Sequence, residues 1–332
     1  MSLTPQTVEE RAPRMDSEVS WARSDSTRLG ALQSLTAIVL TFNEDMHIER
    51  CVRSARQIAA RVCIVDSFST DRTREVAAAL GAEIHTHAFK NYADQFQWAL
   101  ETVGIESEWV LRLDADEYLD DALIADLLTR LPGLPTDVSG IAVRLKVIFQ
   151  GRFLRFGGYY TTDLLRIFRR SAGRMEQRWM DEHITLSHGR TIKLLGNLVH
   201  DELKPFHFWV EKHNRYATRA MLDFINLDTP LFEADRRMRA ADNRQAHVRR
   251  LLKEKVYHRL PLYSRAFLLF LYRYVLRLGF LDGRQGFIFH FNHSLWYRLL
   301  EAVKVDEARS YIAEHGVDAF KDHIRRSYRL DI

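Results

Sequence analysis

The sequence predicts an α/β fold: a mainly parallel sheet with helices packed on it, followed by a helical C-terminal extension. Three observations predict this. Between residues 35 and 113, β-type runs alternate with helix-periodic runs at intervals of roughly 25 residues, the spacing of strand–helix–strand units. Polar clusters follow the first, second and fourth of these runs, at the strand ends where such sheets bind ligands. From about Phe206 onward the chain reads as helical, with no repeat and no low-complexity tract.

Residues 1–34 are polar and lack periodicity, which predicts a loosely attached tail. Leu35-Thr36-Ala37-Ile38-Val39-Leu40-Thr41 is a compact β-type run. A helix is expected from about Asp45 to Gln57, with Ile48, Cys51, Val52 and Ala55 on one face. Arg61 to Asp66 reads as the second strand and Ser67-Phe68-Ser69-Thr70 as a turn. The helix from about Asp71 to Leu80 then stops at Gly81, the residue type that most easily turns the chain out of a helix. Ala82–Ala88, Asn91–Val103 and Glu108–Leu113 continue as strand, helix and strand. A helix near Asp120–Leu131 runs into the breaker series Leu131-Pro132-Gly133-Leu134-Pro135, and the pattern changes. Gly140–Phe149, Thr162–Arg169, His183–Leu186 and Ile192–Val199 read as strands of a mixed extension. The expected divisions are therefore a tail at 1–34, a catalytic sheet domain at 35–205 and a helical region at 206–332.

Composition narrows the function classes. With 46% hydrophobic and 28% charged residues the chain has the balance of a folded protein, not a disordered one. Cys51 and Cys63 fall inside predicted elements without metal-ligand spacing, which predicts a reducing compartment. The stretch around Glu9, Glu10 and Arg11 has no apolar core of the signal-peptide kind, so the expected location is cytoplasmic. Net charge is only +4, yet twelve Lys and Arg residues lie between Arg236 and Leu281 against two acids, Asp242 and Glu254. That excess suits an anionic partner (a membrane surface, a phosphorylated glycolipid or a nucleic acid) or a solvated basic face. Within Pro261–Leu281 the longest uncharged run, Ala266–Tyr272, is far short of the ~20 residues of a spanning helix. Arg265, Arg273 and Arg277 share one third of the helix circumference. Either an interfacial helix in anionic lipid or a core helix with snorkelling arginines results, and peripheral contact with the inner face of the cytoplasmic membrane is the expectation.

The chemistry concentrates after the fourth strand. Trp109-Val110-Leu111-Arg112-Leu113 runs into three carboxylates, Asp114, Asp116 and Glu117. Clustered acids at the end of a core strand repel one another and resist burial, so they suit a bound cation; a solvated capping turn is the bland alternative. Thr41-Phe42-Asn43-Glu44 and Asp66-Ser67 fall on the same expected edge, and three clusters together favour a ligand site. The turn after the first strand contains no glycine, which removes the dinucleotide and P-loop readings. A carboxylate pair holding a divalent metal, and through it a diphosphate, needs no such loop. Asp66 is then free to accept the imide N–H of a uracil.

Thr41-Phe42-Asn43-Glu44, Val65-Asp66-Ser67-Phe68-Ser69-Thr70-Asp71-Arg72-Thr73 and Leu113-Asp114-Ala115-Asp116-Glu117 resemble the signature series of family-2 inverting glycosyltransferases, over roughly residues 35–200. The wider chain resembles bacterial enzymes that add a sugar to the lipopolysaccharide core, β-1,4-glucosyltransferases among them. Phe280-Leu281-Asp282-Gly283-Arg284 and Trp296-Tyr297-Arg298 contribute to that likeness. The resemblance implies a GT-A fold, a nucleotide-sugar donor (a UDP-sugar), Mg²⁺ or Mn²⁺, and a lipid-linked saccharide acceptor. It places Asp66 on the base, Asp114 on the ribose side, Asp116 on the metal, and Thr41, Asn43, Glu44 and Ser67 beside the nucleotide.

Inversion also needs a base for the acceptor hydroxyl. Trp179-Met180-Asp181-Glu182-His183 is the acidic, apolar-flanked segment in range, with Asp181 preferred and Glu182 next; pairing of these acids with Arg166, Arg169 or Arg178 is the structural alternative. His200 is the candidate to complete the metal shell. Two other functions compete. A sugar nucleotidyltransferase wants a basic, glycine-rich triphosphate loop that the sequence lacks. A non-catalytic nucleic-acid- or membrane-binding protein fits the basic region, but cleft acids repel nucleic-acid phosphate, so no nucleic acid is expected.

Overall fold

The computed structural model describes residues 34–176, 179–180, 182–233, 248, 260–330 and 332. Its centre is a sheet with strand order β3-β2-β1-β4-β8-β6-β11-β5, where β1 is Leu35–Thr41, β2 Arg61–Asp66, β3 Glu83–Thr86, β4 Trp109–Asp114, β5 Glu117–Leu119, β6 Val138–Phe149, β7 Arg152–Phe153 (paired with β6), β8 Asp163–Arg169 and β11 Arg190–Asp201. β9 (Gly173–Met175) and β10 (Ile184–Leu186) form a separate antiparallel pair. This is the GT-A arrangement, a Rossmann-like parallel half joined to a mixed half.

The parallel half follows from composition. Every residue of β1 is buried, because helices cover both faces of the strand and its seven residues are apolar or threonine. α1 (Ile48–Ala55), α2 (Thr73–Ala79) and α4 (Asp121–Arg130) contribute to the core on one face. α3 (Tyr92–Thr102), with Phe96 and Leu100, seals the other. α3 and α4 begin at side-chain caps, where Asn91 and Asp120 accept the N–H groups of Asp94 and Leu123.

Two features of the mixed half were absent from the sequence expectation. Asp116 does not simply lead into a helix: the chain turns back through β5, which pairs antiparallel with β11, His200 opposite Glu117. β11 reaches that register because it bulges between Lys193 and Asn197. Gly196 makes the bulge possible, since at φ +86° a Cβ would lie 2.2 Å from the Leu123 nitrogen.

The C-terminal region is helical as expected: α5 (Phe206–Asp228), α6 (Ser264–Leu271), α7 (Gly283–His290), α8 (Tyr297–His315) and α9 (Val317–Tyr328). Most of the basic run from Arg236 to Arg259 lies outside the described residues. The arginine stripe of 261–281 is described, and two of its three members, Arg265 and Arg273, turn inward while Arg277 is exposed. Arg265 is 1% exposed, beside Glu301 and over the Phe224 ring, and Arg273 sits on Tyr159. The apolar side chains of the same segment point out, which excludes a core helix with snorkelling arginines: Phe267, Leu268, Leu271, Val275 and Leu276 are all exposed. No described helix is long and apolar enough to cross a membrane.

Candidate active site

Strand register assembles the site. Asp66 at the end of β2 stands opposite Thr41, and Asp114 at the end of β4 stands opposite Leu40. β1 lies between them, so the three polar clusters form one edge. The turns after β1 and β2 are stitched together: Asn43 and Glu44 N–H donate to Ser69 Oγ (2.8 Å) and Thr73 Oγ1 (2.6 Å), and Thr70 N–H donates to Asn43 Oδ1 (2.8 Å). Asn43 and Phe68 both take positive φ, 56° and 62°, a costly conformation for a residue as bulky as phenylalanine. The outcome is two aromatic rings, Phe42 and Phe68, each 56% exposed at the edge. Neither was singled out from sequence, where each stands only as a member of a turn motif.

The carboxylates differ in how free they are. Asp66 is fully buried. Its oxygens accept Thr41 Oγ1 (2.9 Å), Ser69 N–H (2.8 Å) and Ser69 Oγ, and Arg74 stands over it at 3.6 Å. Glu44 is committed to His47 Nδ1 (2.6 Å) and Lys204 Nζ (2.7 Å). Ser67 Oγ accepts the Gln95 amide. Asp114 gives Oδ2 to Arg166 at 3.1 Å, but its buried Oδ1 has no hydrogen-bond partner, only Arg112 at 3.6 Å. A buried acceptor left open at a strand end is unusual and marks a place for a donor from outside the chain.

Asp116 is the most charged point. Its Oδ1 lies 3.4 Å from His200 Nδ1, and its Oδ2 is 3.1 Å from Lys212 Nζ on α5. Burial works against the charge, but Lys212 and His200 hold the Asp116 carboxyl well below the usual range. Burial pushes Glu117 the other way against the pull of Arg166, which it meets at 2.6 Å. Lys212 also reaches Glu202 at 3.6 Å. No motif flagged Lys212; only the docking of α5 brings it to β4.

The donor set fits a divalent cation. A carboxylate oxygen and an imidazole nitrogen lie side by side, and the open Asp114 oxygen is near by in sequence and register. Asp114, Asp116 and His200 are not drawn within 4.8 Å of one another; among the described residues the three ligand atoms that do lie that close belong to Cys63, Glu83 and His85, a cross-strand grouping that sequence spacing did not reveal. There Glu83 is already held by Arg61 through two hydrogen bonds.

Of the two base candidates, Asp181 lies outside the described residues. Glu182 is nearly buried and pairs with Arg112 at 3.1 Å, a partner on β4 that differs from the three arginines expected. Arg166 instead serves Asp114 and Glu117, and Arg169 serves Glu108.

Residues 36–189 match the model of the family described as glycosyl transferase family 2. An uncharacterised glycosyltransferase of Rickettsia bellii is 38% identical over 91 residues, covering 27% of this chain and 30% of its own length. One of Rickettsia felis is 35% identical over 92 residues, covering 28% and 32%. The chain thus spans about a third of the length of the curated relatives it matches. Among solved structures, glucosyl-3-phosphoglycerate synthase from Mycobacterium tuberculosis in complex with phosphoglyceric acid is 15% identical over 56% of this chain and 78% of that one, with a TM-score of 0.35. Its complex with Mn²⁺, uridine diphosphate and glucosyl-3-phosphoglycerate is 18% identical over 43% and 51%, with a TM-score of 0.28. Superpositions that loose say nothing of this chain's ligands.

Proposed function

We propose that the family 2 glycosyltransferase domain at residues 36–189 makes this protein an inverting, metal-dependent enzyme that moves a sugar from a UDP-sugar to a cell-envelope glycolipid such as the lipopolysaccharide core. The observation that carries this reading is the strand edge itself. Asp66, Asp114 and Asp116 converge there, with His200 beside Asp116 and an open, buried Asp114 oxygen.

In this reading Asp114 Oδ1 receives a ribose hydroxyl. The uracil lies between Phe42 and Phe68, against Thr41, Asn43 and Ser67. It reaches Asp66 by displacing Arg74, while Glu44 braces the turn through His47 and Lys204. Asp116 and His200 hold Mg²⁺ or Mn²⁺. When bound, that ion supplies positive charge to the departing diphosphate. Lys212 supplies a second positive charge from α5, which Asp116 and Glu202 hold in place. Asp181 takes the proton of the acceptor hydroxyl, and Glu182, tied to Arg112, fixes the loop that carries it.

The acceptor side is the helical region. Eleven large apolar residues between Phe267 and Phe291 are exposed, among them Leu276, Leu278, Phe280, Leu281 and Phe287. A surface of that kind, where no described helix is long and apolar enough to cross a membrane, suits peripheral contact with the inner face of the cytoplasmic membrane, where a lipid-anchored acceptor resides.

The direct test incubates purified protein with a panel of UDP-sugars and Mn²⁺ and follows UDP release. Absence of both release and binding, whatever the metal, removes the reading.

A further inference from the structure

A pocket of about 380 Å³ is lined by Phe89, Lys90, Trp179, Arg219, Tyr328 and Arg329, with Leu330. Three features set it apart. Its named charges are all positive. Arg219 is 8% exposed, yet among the described residues no carboxylate pairs with it and its Nε has no hydrogen-bond partner; only the Phe89 ring lies under the guanidinium, at 5.1 Å. The remaining walls are three aromatic rings, Phe89, Trp179 and Tyr328, and Leu330.

A buried guanidinium without an anion is costly, because desolvation is not repaid by a partner. Phe89 recovers a small part of that cost. The arrangement makes sense if the missing anion arrives with a ligand. Aromatic walls offer flat apolar surface to a sugar ring, and the guanidinium fork matches the oxygens of a phosphate or carboxylate.

Position relates the pocket to the transfer point. Lys212, Tyr216, Arg219 and Asp223 recur on α5 at steps of three and four residues and so share one face. Lys212 touches Asp116, Tyr216 O–H meets Tyr92 O–H at 2.8 Å, Arg219 lines the pocket, and Asp223 accepts the Met180 N–H at 2.9 Å. From Lys212 to Arg219 is about 10 Å along a helix, the length of one or two hexose units. Trp179 on the pocket wall is two residues from Asp181.

We propose that this pocket is an acceptor subsite for an anionic saccharide: Arg219, with Lys90 and Arg329, binds a phosphate or carboxylate on a sugar one or two units from the attacking hydroxyl. The acceptor role rests on the function proposed above; anion binding by the pocket does not.

Calorimetry on the full chain tests it with glucose 6-phosphate, glucuronate, glucose and inorganic phosphate. The expected result is that one or both charged hexoses bind about tenfold or more tightly than glucose. Arg219→Gln abolishes the difference and leaves binding of UDP with Mn²⁺ within about twofold. Preference for glucose 6-phosphate assigns the phosphate source, and preference for glucuronate the carboxylate source. Equal binding of charged and neutral hexoses, an unaffected Arg219→Gln, or inorganic phosphate binding as tightly as the sugars overturns the subsite. Arg219→Met supplies a second check. Removing an unpaired buried charge raises the melting temperature, whereas a fall in melting temperature assigns Arg219 a packing role and overturns the proposal. Failure of wild-type protein to bind UDP while charged hexoses still bind sinks the donor reading and leaves the pocket standing.

Discussion

The sheet domain and the helical region solve burial in opposite ways. In the sheet, apolar strands fill the interior and carboxylates gather at one edge, where Asp66, Asp114 and Asp116 end their strands or follow them. In the helices around residues 264–291 Arg265 and Arg273 turn inward to Glu301 and Tyr159, and several leucines and phenylalanines turn outward. The first arrangement is complete once a polar ligand occupies the edge. The second is complete only when something apolar covers the face. One molecule thus presents a wet site and a greasy surface, the contrast on which the proposed transfer to a membrane-held acceptor rests.

The largest expected effect breaks the first half of that contrast. Asp116→Ala lowers metal-stimulated turnover by about a thousandfold, roughly 4 kcal/mol of transition-state stabilisation, while circular dichroism stays that of the wild type. Asp181→Asn abolishes transfer to a comparable degree but retains donor binding, measured by calorimetry with UDP. Loss through Glu182→Gln alone reverses their order. Retained turnover in Asp116→Ala moves the metal elsewhere.

Next in size is the inward charge of the helical region. Glu301 sits between Arg298 (2.6 Å) and Arg265 (3.5 Å) and is itself buried. Glu301→Ala removes a carboxylate partner from two arginines, one of them buried, and lowers the urea midpoint. An unchanged midpoint means the inward arginines carry no stability.

Much of the sheet domain was legible because its signals are local. β1, β2 and β4 are short apolar runs with distinct ends, Gly81 stops a helix, and the acidic triplet follows a strand. Family likeness then tied the clusters together. What sequence could not supply depends on contacts far apart in the chain. β5 is three residues long, and its pairing with β11 depends on a bulge at Gly196. Lys212 and Arg219 are ordinary helix lysine and arginine until α5 docks. The facing of Arg265 and Arg273 was periodic in the sequence, but periodicity does not say which side of a helix is inside. Where water is the only expected neighbour, cations face out. Here they face in, and the usual rule gives the wrong side.

A pH effect of moderate size separates the two regions again. His290 is fully buried in the helical region between Gly157 and Gly279, and burial, aided by Arg273, lowers its pKa to about 4. Burial likewise lowers His213 to about 4. Below pH 6.5 the unfolded chain protonates these rings while the folded chain does not, so the unfolded state binds more protons. Their contribution is fully present above pH 6.5 and is lost as pH falls toward 4, by about 2–3 kcal/mol for one ring. Urea midpoints at pH 7.5, 6 and 5 check this. His290→Gln keeps a neutral side chain at a ring whose nitrogens have no partner, and it flattens the fall. An equal fall in the variant assigns the acid sensitivity to other groups.

The smallest effect tests the outer face. Leu276, 73% exposed, contributes almost nothing to the folded core, so Leu276→Asp leaves the melting temperature within a degree or two. If the face lies in lipid, the same change removes apolar contact and adds a negative charge near anionic headgroups. Each is a modest penalty, and together they reduce binding to vesicles of mixed phosphatidylglycerol and phosphatidylethanolamine by about tenfold, roughly 1.4 kcal/mol. Co-sedimentation measures it. The matched control is Leu203→Asp, an exposed leucine beside the donor edge, which leaves vesicle binding unchanged. Equal losses in both variants indicate nonspecific electrostatics, and no loss in either removes the membrane from the account of why the arginines turned in.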